Sequence, residues 1–166
     1  MSALVAERLS VQLSGKWVIR ELDFSARAGH VSAIVGPNAA GKTTLLKALA
    51  GLLPSEGSIR YAGTALGELS LGERARLVAY VPQRSELSAR LSVHEVVALG
   101  RYAGRPGVFS LGAADRQAIG TALERVRAAE LTERSYLELS GGEQRLVLLA
   151  RALATGARTV LLDEPA

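Results

Sequence analysis

Apolar and polar positions alternate with period two near the start of the chain and recur with helical spacing further on, so strands are expected first and helices later. Leu4 to Leu13 alternates loosely and predicts a strand. Ser14-Gly15-Lys16 reads as a turn, and Trp17 to Phe24 as the returning strand of an antiparallel hairpin. After a second turn at Arg27-Ala28-Gly29, Val31-Ser32-Ala33-Ile34-Val35 is expected to be a short buried strand running into a glycine-rich loop. Thr43 to Ala50 has helical spacing and stops at Gly51, as a glycine-terminated helix should. Gly57 to Gly63 predicts a short strand and turn, Leu71 to Arg76 a helix, and Leu77 to Val81 a strand that ends at Pro82. From Gln83 to Leu139 the strand signal disappears. Ser92 there precedes Glu95 at capping-box spacing, and Asp115 opens a helical pattern reaching about Ala129. Ser140 and its two glycines precede an apolar helix, Leu146 to Ala154, and Thr159 to Leu162 is a buried-type strand ending in Asp163-Glu164-Pro165. The alternation indicates an α/β fold with an antiparallel β region at the start and a mostly helical insertion.

Composition narrows the function classes. With 166 residues, 48% of them hydrophobic and 22% charged, the chain has material for one core and is not a disordered segment. No apolar run approaches the roughly 18–20 residues that cross a bilayer, and the opening MSALVAERLS lacks the pattern of a secretory signal. Any membrane connection is therefore expected through a partner. Absence of cysteine excludes disulfides and thiolate metal sites. The net charge of +4 comes mostly from scattered arginines, with lysines only at Lys16, Lys42 and Lys47, and reads as solvated surface with no nucleic-acid partner expected.

Gly36-Pro37-Asn38-Ala39-Ala40-Gly41-Lys42-Thr43 fits the phosphate-loop pattern G-x-x-x-x-G-K-[ST], with Thr44 directly behind it. Glycines let the backbone curl so that several N–H groups face a phosphate, and a helix starting near Thr43 adds the positive end of its dipole. Lys42 can reach β- and γ-phosphates and the Thr43 hydroxyl can ligate Mg²⁺. The motif specifies phosphate binding but not the reaction. A second anion-binding pattern, Leu139-Ser140-Gly141-Gly142-Glu143-Gln144, stands just before a helix. The same residues also suit a plain capped helix, with Ser140 as N-cap and Glu143 completing a capping box.

Together these segments resemble the ABC ATPases. GPNAAGKT is similar to that family's phosphate loop and LSGGEQ to its signature motif. TVLLDEPA (Thr159 to Ala166) resembles its Walker B strand with the catalytic glutamate, and Tyr80-Val81-Pro82-Gln83 its Q-loop, all in the family's order. The resemblance implies a P-loop NTPase with a RecA-like core sheet, ATP and Mg²⁺ as cofactors, and ATP hydrolysis. Asp163 would act on Mg²⁺ and Glu164 would polarise the attacking water. Gln83 would help complete the metal shell and couple the site to a partner. Ser140 and Gly142, with Gly141, Glu143 and Gln144 around them, would face the γ-phosphate of a second subunit. A head-to-tail homodimer is implied, with ATP at its interface.

Three departures qualify this expectation. Ala39 stands where many members have glycine, so a positive φ there would strain the loop. The place where the family often stacks a tyrosine on adenine aligns with Leu13, with Trp17 nearby as a substitute or as ordinary packing. Arg145-Leu146 replaces the common Gln-Arg after the signature. The resemblance also implies one ABC domain over 1–166, with 1–83 and 140–166 as core and 84–139 as helical subdomain. A complete domain would continue for about 60–90 residues more, carrying the D-loop, the switch histidine and a strand between the phosphate-loop and Walker B strands.

Ser92 to Arg101, SVHEVVALGR, is similar to the run after the Q-loop in importer ATPases for iron chelates, haem and cobalamin. That resemblance implies a subunit peripheral to the inner face of the cell membrane, cytoplasmic, joined to a transmembrane permease and indirectly to a substrate-binding protein. Alternatives are a non-transport ABC ATPase and an ATP-binding module without hydrolysis.

Overall fold

The structure, a computed structural model, describes residues 2–83, 87, 90–103 and 110–163. They form two compact units, 1–70 and 71–166.

The first unit is built on two long antiparallel strands, β1 (Ser2–Leu13) and β2 (Lys16–Arg27). Leu13 pairs with Lys16, so the hairpin closes through Ser14 and Gly15 alone. Both have positive φ, 48° and 79°, which is the turn whose twist matches that of the strands. β3 (Glu56–Tyr61) pairs with the other edge of β1, and β4 (Thr64–Ala65) completes the order β2-β1-β3-β4. The β1–β2 register slips within the hairpin, and side chains meet the displaced amides: Arg8 N–H donates to Asp23 Oδ1 at 2.8 Å and Glu21 N–H to Ser10 Oγ at 2.9 Å. Leu4, Ala6, Leu9 and Val11 alternate onto the buried face of β1.

Helix α1 (Lys42–Leu49) buries Leu45, Leu46, Ala48 and Leu49. Each of these leucines contributes about 1.5–3 kcal/mol by leaving water. The helix stops as its sequence predicts: Gly51 N–H reaches Ala48 O and Leu52 N–H reaches Lys47 O, the paired bonds of a Schellman end. The buried strand expected at 31–35 does not form. That stretch carries no strand pairing among the described residues, and Val31 and Val35 are 100% and 89% exposed. An extended segment without a lateral partner leaves its amides to solvent, and β propensity alone does not bury it.

In the second unit α2 (Leu71–Leu77) leads into β5 (Val78–Val81), which pairs in parallel with β6 (Thr159–Leu162). Between them α3 (Val93–Tyr102), α4 (Ala113–Arg125) and α5 (Gly141–Ala154) pack around Val93, Val96, Val97, Ile119, Tyr136 and Val147. Ser92 and Glu95 form the expected capping box on α3. Helix α4 ends before the predicted Ala129 because Arg127 takes a positive φ of 57°. Helix α5 starts at Gly141, earlier than the predicted Leu146, because the Ser140 cap fixes its start. Gly100 is demanded by packing: a Cβ there would lie 2.3 Å from the Arg151 carbonyl oxygen. One residue on, Arg101 Nε donates to Asp115 Oδ1 at 2.9 Å and its Nη1 to the Ala154 carbonyl, which joins the ends of three helices. No helix among the described residues is long and apolar enough to cross a membrane.

Candidate functional site

The phosphate-loop residues lie in the first unit. Gly36, Pro37, Asn38, Ala39 and Ala40 are exposed, and Gly41, Lys42, Thr43 and Thr44 are half-buried as α1 begins. Ala40 N–H turns back to Pro37 O at 3.3 Å. Ala39 and Gly41 both take positive φ, 63° and 89°, so the strain foreseen for an alanine in this loop is present. A Cβ on Gly41 would stand 3.1 Å from Val18 Cγ1 on β2, which makes glycine the fitting residue twice over. Lys42 folds its side chain over the loop, donating to Gly36 O at 2.9 Å and Pro37 O at 2.8 Å. Two of its three ammonium donors are thereby held at the loop mouth. Trp17 is 39% exposed and Leu13 37%, so neither belongs to the core.

The other candidate residues lie in the second unit. Ser140, Gly141 and Gly142 are exposed, and Glu143 and Gln144 half-buried. The Glu143 carboxylate accepts from Ser140 N–H at 2.8 Å and from Ser140 Oγ at 2.7 Å, while Ser140 Oγ accepts from Glu143 N–H at 3.3 Å. Those bonds hold the Glu143 carboxyl below the usual glutamate range, the hydroxyl contributing most and the amide next. Arg134 approaches the same carboxylate at 3.5 Å from an exposed position, where solvent screens the contact and leaves it weak. Gln144 Nε2 donates to Tyr136 O at 3.2 Å, which ties the motif to the core.

Gln83 is exposed just beyond the end of β5. Asp163 follows β6, is 4% exposed, and its N–H extends the parallel ladder to Val81 O at 3.0 Å. Its Oδ2 accepts from the Tyr80 hydroxyl at 3.0 Å. Burial, and then the bond to Asp163, push the Tyr80 phenol well above its ordinary value. Glu164 lies outside the described residues. The sequence gives Tyr80 no role of its own. The signal lies in the register: Tyr80 pairs with Leu161, and Asp163 is two residues further along the same face.

Oxygen donors are what a Mg²⁺ ion takes, and the Thr43 hydroxyl in the first unit and, in the second, the Gln83 amide and Asp163 carboxylate are each of that type. Among the described residues no cluster of three His, Cys, Asp or Glu forms an all-protein metal cage. Mg²⁺ does not need one, since it is commonly held by one or two carboxylates together with phosphate oxygens.

Residues 19–166 match the ABC transporter family profile. The chain belongs to the ABC transporter family. It is 43% identical to the hemin import ATP-binding protein HmuV of Gloeobacter violaceus, over 98% of this chain and 61% of the relative. It is 36% identical to the iron(3+)-hydroxamate import ATP-binding protein FhuC of Bacillus subtilis, over 99% of this chain and 62% of the relative. A solved structure described as a metal-chelate type ABC transporter in an inward-facing conformation superposes with a TM-score of 0.83 at 29% identity, covering 99% of this chain and 60% of that one. The chain thus spans about three fifths of the length of these curated relatives. The α/β P-loop architecture expected from the motifs is the architecture of this family.

Proposed function

We propose that the chain is the ATP-binding and ATP-hydrolysing cassette that energises a membrane importer, with an iron chelate, haem or cobalamin as cargo. The observation that carries this reading is the loop at residues 36–43: a strained turn at the start of α1 across which Lys42 lays its ammonium group. Such a turn offers backbone amides, a helix dipole and a fixed cation to the same anion. The names of the relatives supply haem and the iron chelate, and the resemblance of residues 92–101 adds cobalamin.

In this reading Gly36 to Thr44 hold the phosphates, and Lys42 stabilises charge on the transferring phosphoryl group. Thr43, Gln83 and Asp163 serve the metal. Mg²⁺ held there would supply positive charge that offsets the negative charge of the transferring phosphoryl group. Glu164 polarises the attacking water. Ser140 to Gln144 of one copy face the nucleotide of a second copy paired head to tail, which shields the phosphates from bulk water while the one attacking water stays in place. The pair docks beneath a permease at the inner face of the cell membrane, and a substrate-binding protein acts from the other side.

The first test is thermal unfolding of the chain with and without Mg-ATP, beside Lys42→Ala. Ligand at about a hundred times its Kd adds about 2.7 kcal/mol, which is roughly 5–10 °C for a chain of this size. Loss of the shift in Lys42→Ala is the expected result. A shift of equal size in both proteins, or in neither, overturns the assignment of the loop.

A further inference from the structure

The parallel pairing of β5 with β6 sets two polar groups together at the end of a short sheet. Tyr80 pairs with Leu161, and Asp163 extends the ladder through its own amide to Val81. Asp163 as a residue is buried, 4% exposed, so its polar side chain needs hydrogen bonds. The Tyr80 hydroxyl supplies one of them at 3.0 Å to Oδ2. The donor's chemistry matters. A lysine or arginine here would cancel the negative charge of Asp163, whereas a phenol orients the carboxylate and leaves its charge intact for a cation. Tyr80 is also well placed to be accurate, since it sits on a paired strand and its rigid ring has few rotatable bonds.

We propose that Tyr80 is a positioning residue for metal-nucleotide binding, its hydroxyl fixing the rotation of the Asp163 carboxylate. This rests on the reading of Asp163 as the residue that serves Mg²⁺. Groups that orient a ligand in this way typically govern 10–100-fold of metal affinity.

The test is Tyr80→Phe, which deletes the hydroxyl and keeps the ring. Mn²⁺ stands in for Mg²⁺, and its affinity is measured by electron paramagnetic resonance on the 166-residue chain with a non-hydrolysable ATP analogue. Affinity for the same analogue in EDTA and the unfolding midpoint are measured alongside. We expect Mn²⁺ affinity to fall about 10-fold while metal-free nucleotide affinity and the unfolding midpoint hold. In an Asp163→Ala background the Tyr80→Phe change should have no further effect on Mn²⁺. Unchanged Mn²⁺ affinity overturns the proposal and leaves the proposed function standing. So does an equal loss in the Asp163→Ala background, because Tyr80 would then act through packing. Loss of cooperative unfolding in Tyr80→Phe overturns it too, since the hydroxyl would be holding the fold. If the unaltered chain binds no Mn²⁺ with nucleotide, the functional reading and this inference fall together.

Discussion

The phosphate loop and the signature segment each stand at a helix start, and the two starts are finished in opposite ways. Helix α5 begins behind Ser140 with a complete capping box, in which serine and glutamate satisfy each other's amides. Helix α1 begins behind Gly41 in the left-handed region, with no side-chain cap among the described residues. One start is closed by a carboxylate, which also offsets the helix dipole. The other is shaped by two positive-φ residues and a lysine folded across its loop. The signature segment therefore satisfies its own helix start, whereas the phosphate loop stores strain at Ala39. Strain of that kind concentrates where a ligand is held.

The largest blow to this contrast comes from Gly41→Ala. Alanine at φ 89° costs about 1–2 kcal/mol, and its Cβ meets Val18 Cγ1 at 3.1 Å. The unfolding midpoint should drop by about 2–8 °C, taking roughly 2–4 °C per kcal/mol. Stability equal to the unaltered chain in a melting experiment would show that Gly41 does not hold this conformation in solution.

Ser140→Ala acts on the other start and should cost about 1 kcal/mol, the usual price of losing a serine cap. Acid sharpens the same measurement. The Glu143 carboxyl is held below its ordinary 4.5, so its share of the cap is fully present above that pH. It is lost as the pH falls through the lower folded value. The stability gap between the unaltered chain and Ser140→Ala, followed in urea from pH 7 downward, should stay constant to about pH 5 and then narrow. A gap that widens in acid would mean the carboxylate is not what the serine holds.

This difference also explains what was legible in the sequence. The capping boxes at Ser92 and Ser140, the glycine stop at Gly51 and the Ser14-Gly15 turn are local chemistry, and each is found where its residues predict it. The family motifs are local too. What failed depends on partners distant in sequence: Val31 to Val35 has the composition of a buried strand, but no strand pairs with it among the described residues. Tyr80 was illegible for the same kind of reason. Its bond to Asp163 spans 83 positions and follows only from the parallel register of β5 and β6. The Arg101–Asp115 pair likewise joins two helices whose packing no local pattern specifies.

The smallest effect is the most discriminating, because it changes sign with the loop's geometry. Ala39 has φ 63°, a conformation that costs an alanine about 1–2 kcal/mol and a glycine almost nothing. Ala39→Gly removes that strain but gives the unfolded chain more freedom, which costs about 0.4–1 kcal/mol. The balance favours glycine by about 0.8 kcal/mol, visible as a small rise in urea midpoint at an unchanged slope. An ordinary exposed alanine, replaced in the same way, loses stability, since only the entropy term then acts. A rise therefore reports a left-handed Ala39 in solution, and a fall reports a relaxed loop whose start differs from α5 only in lacking a cap.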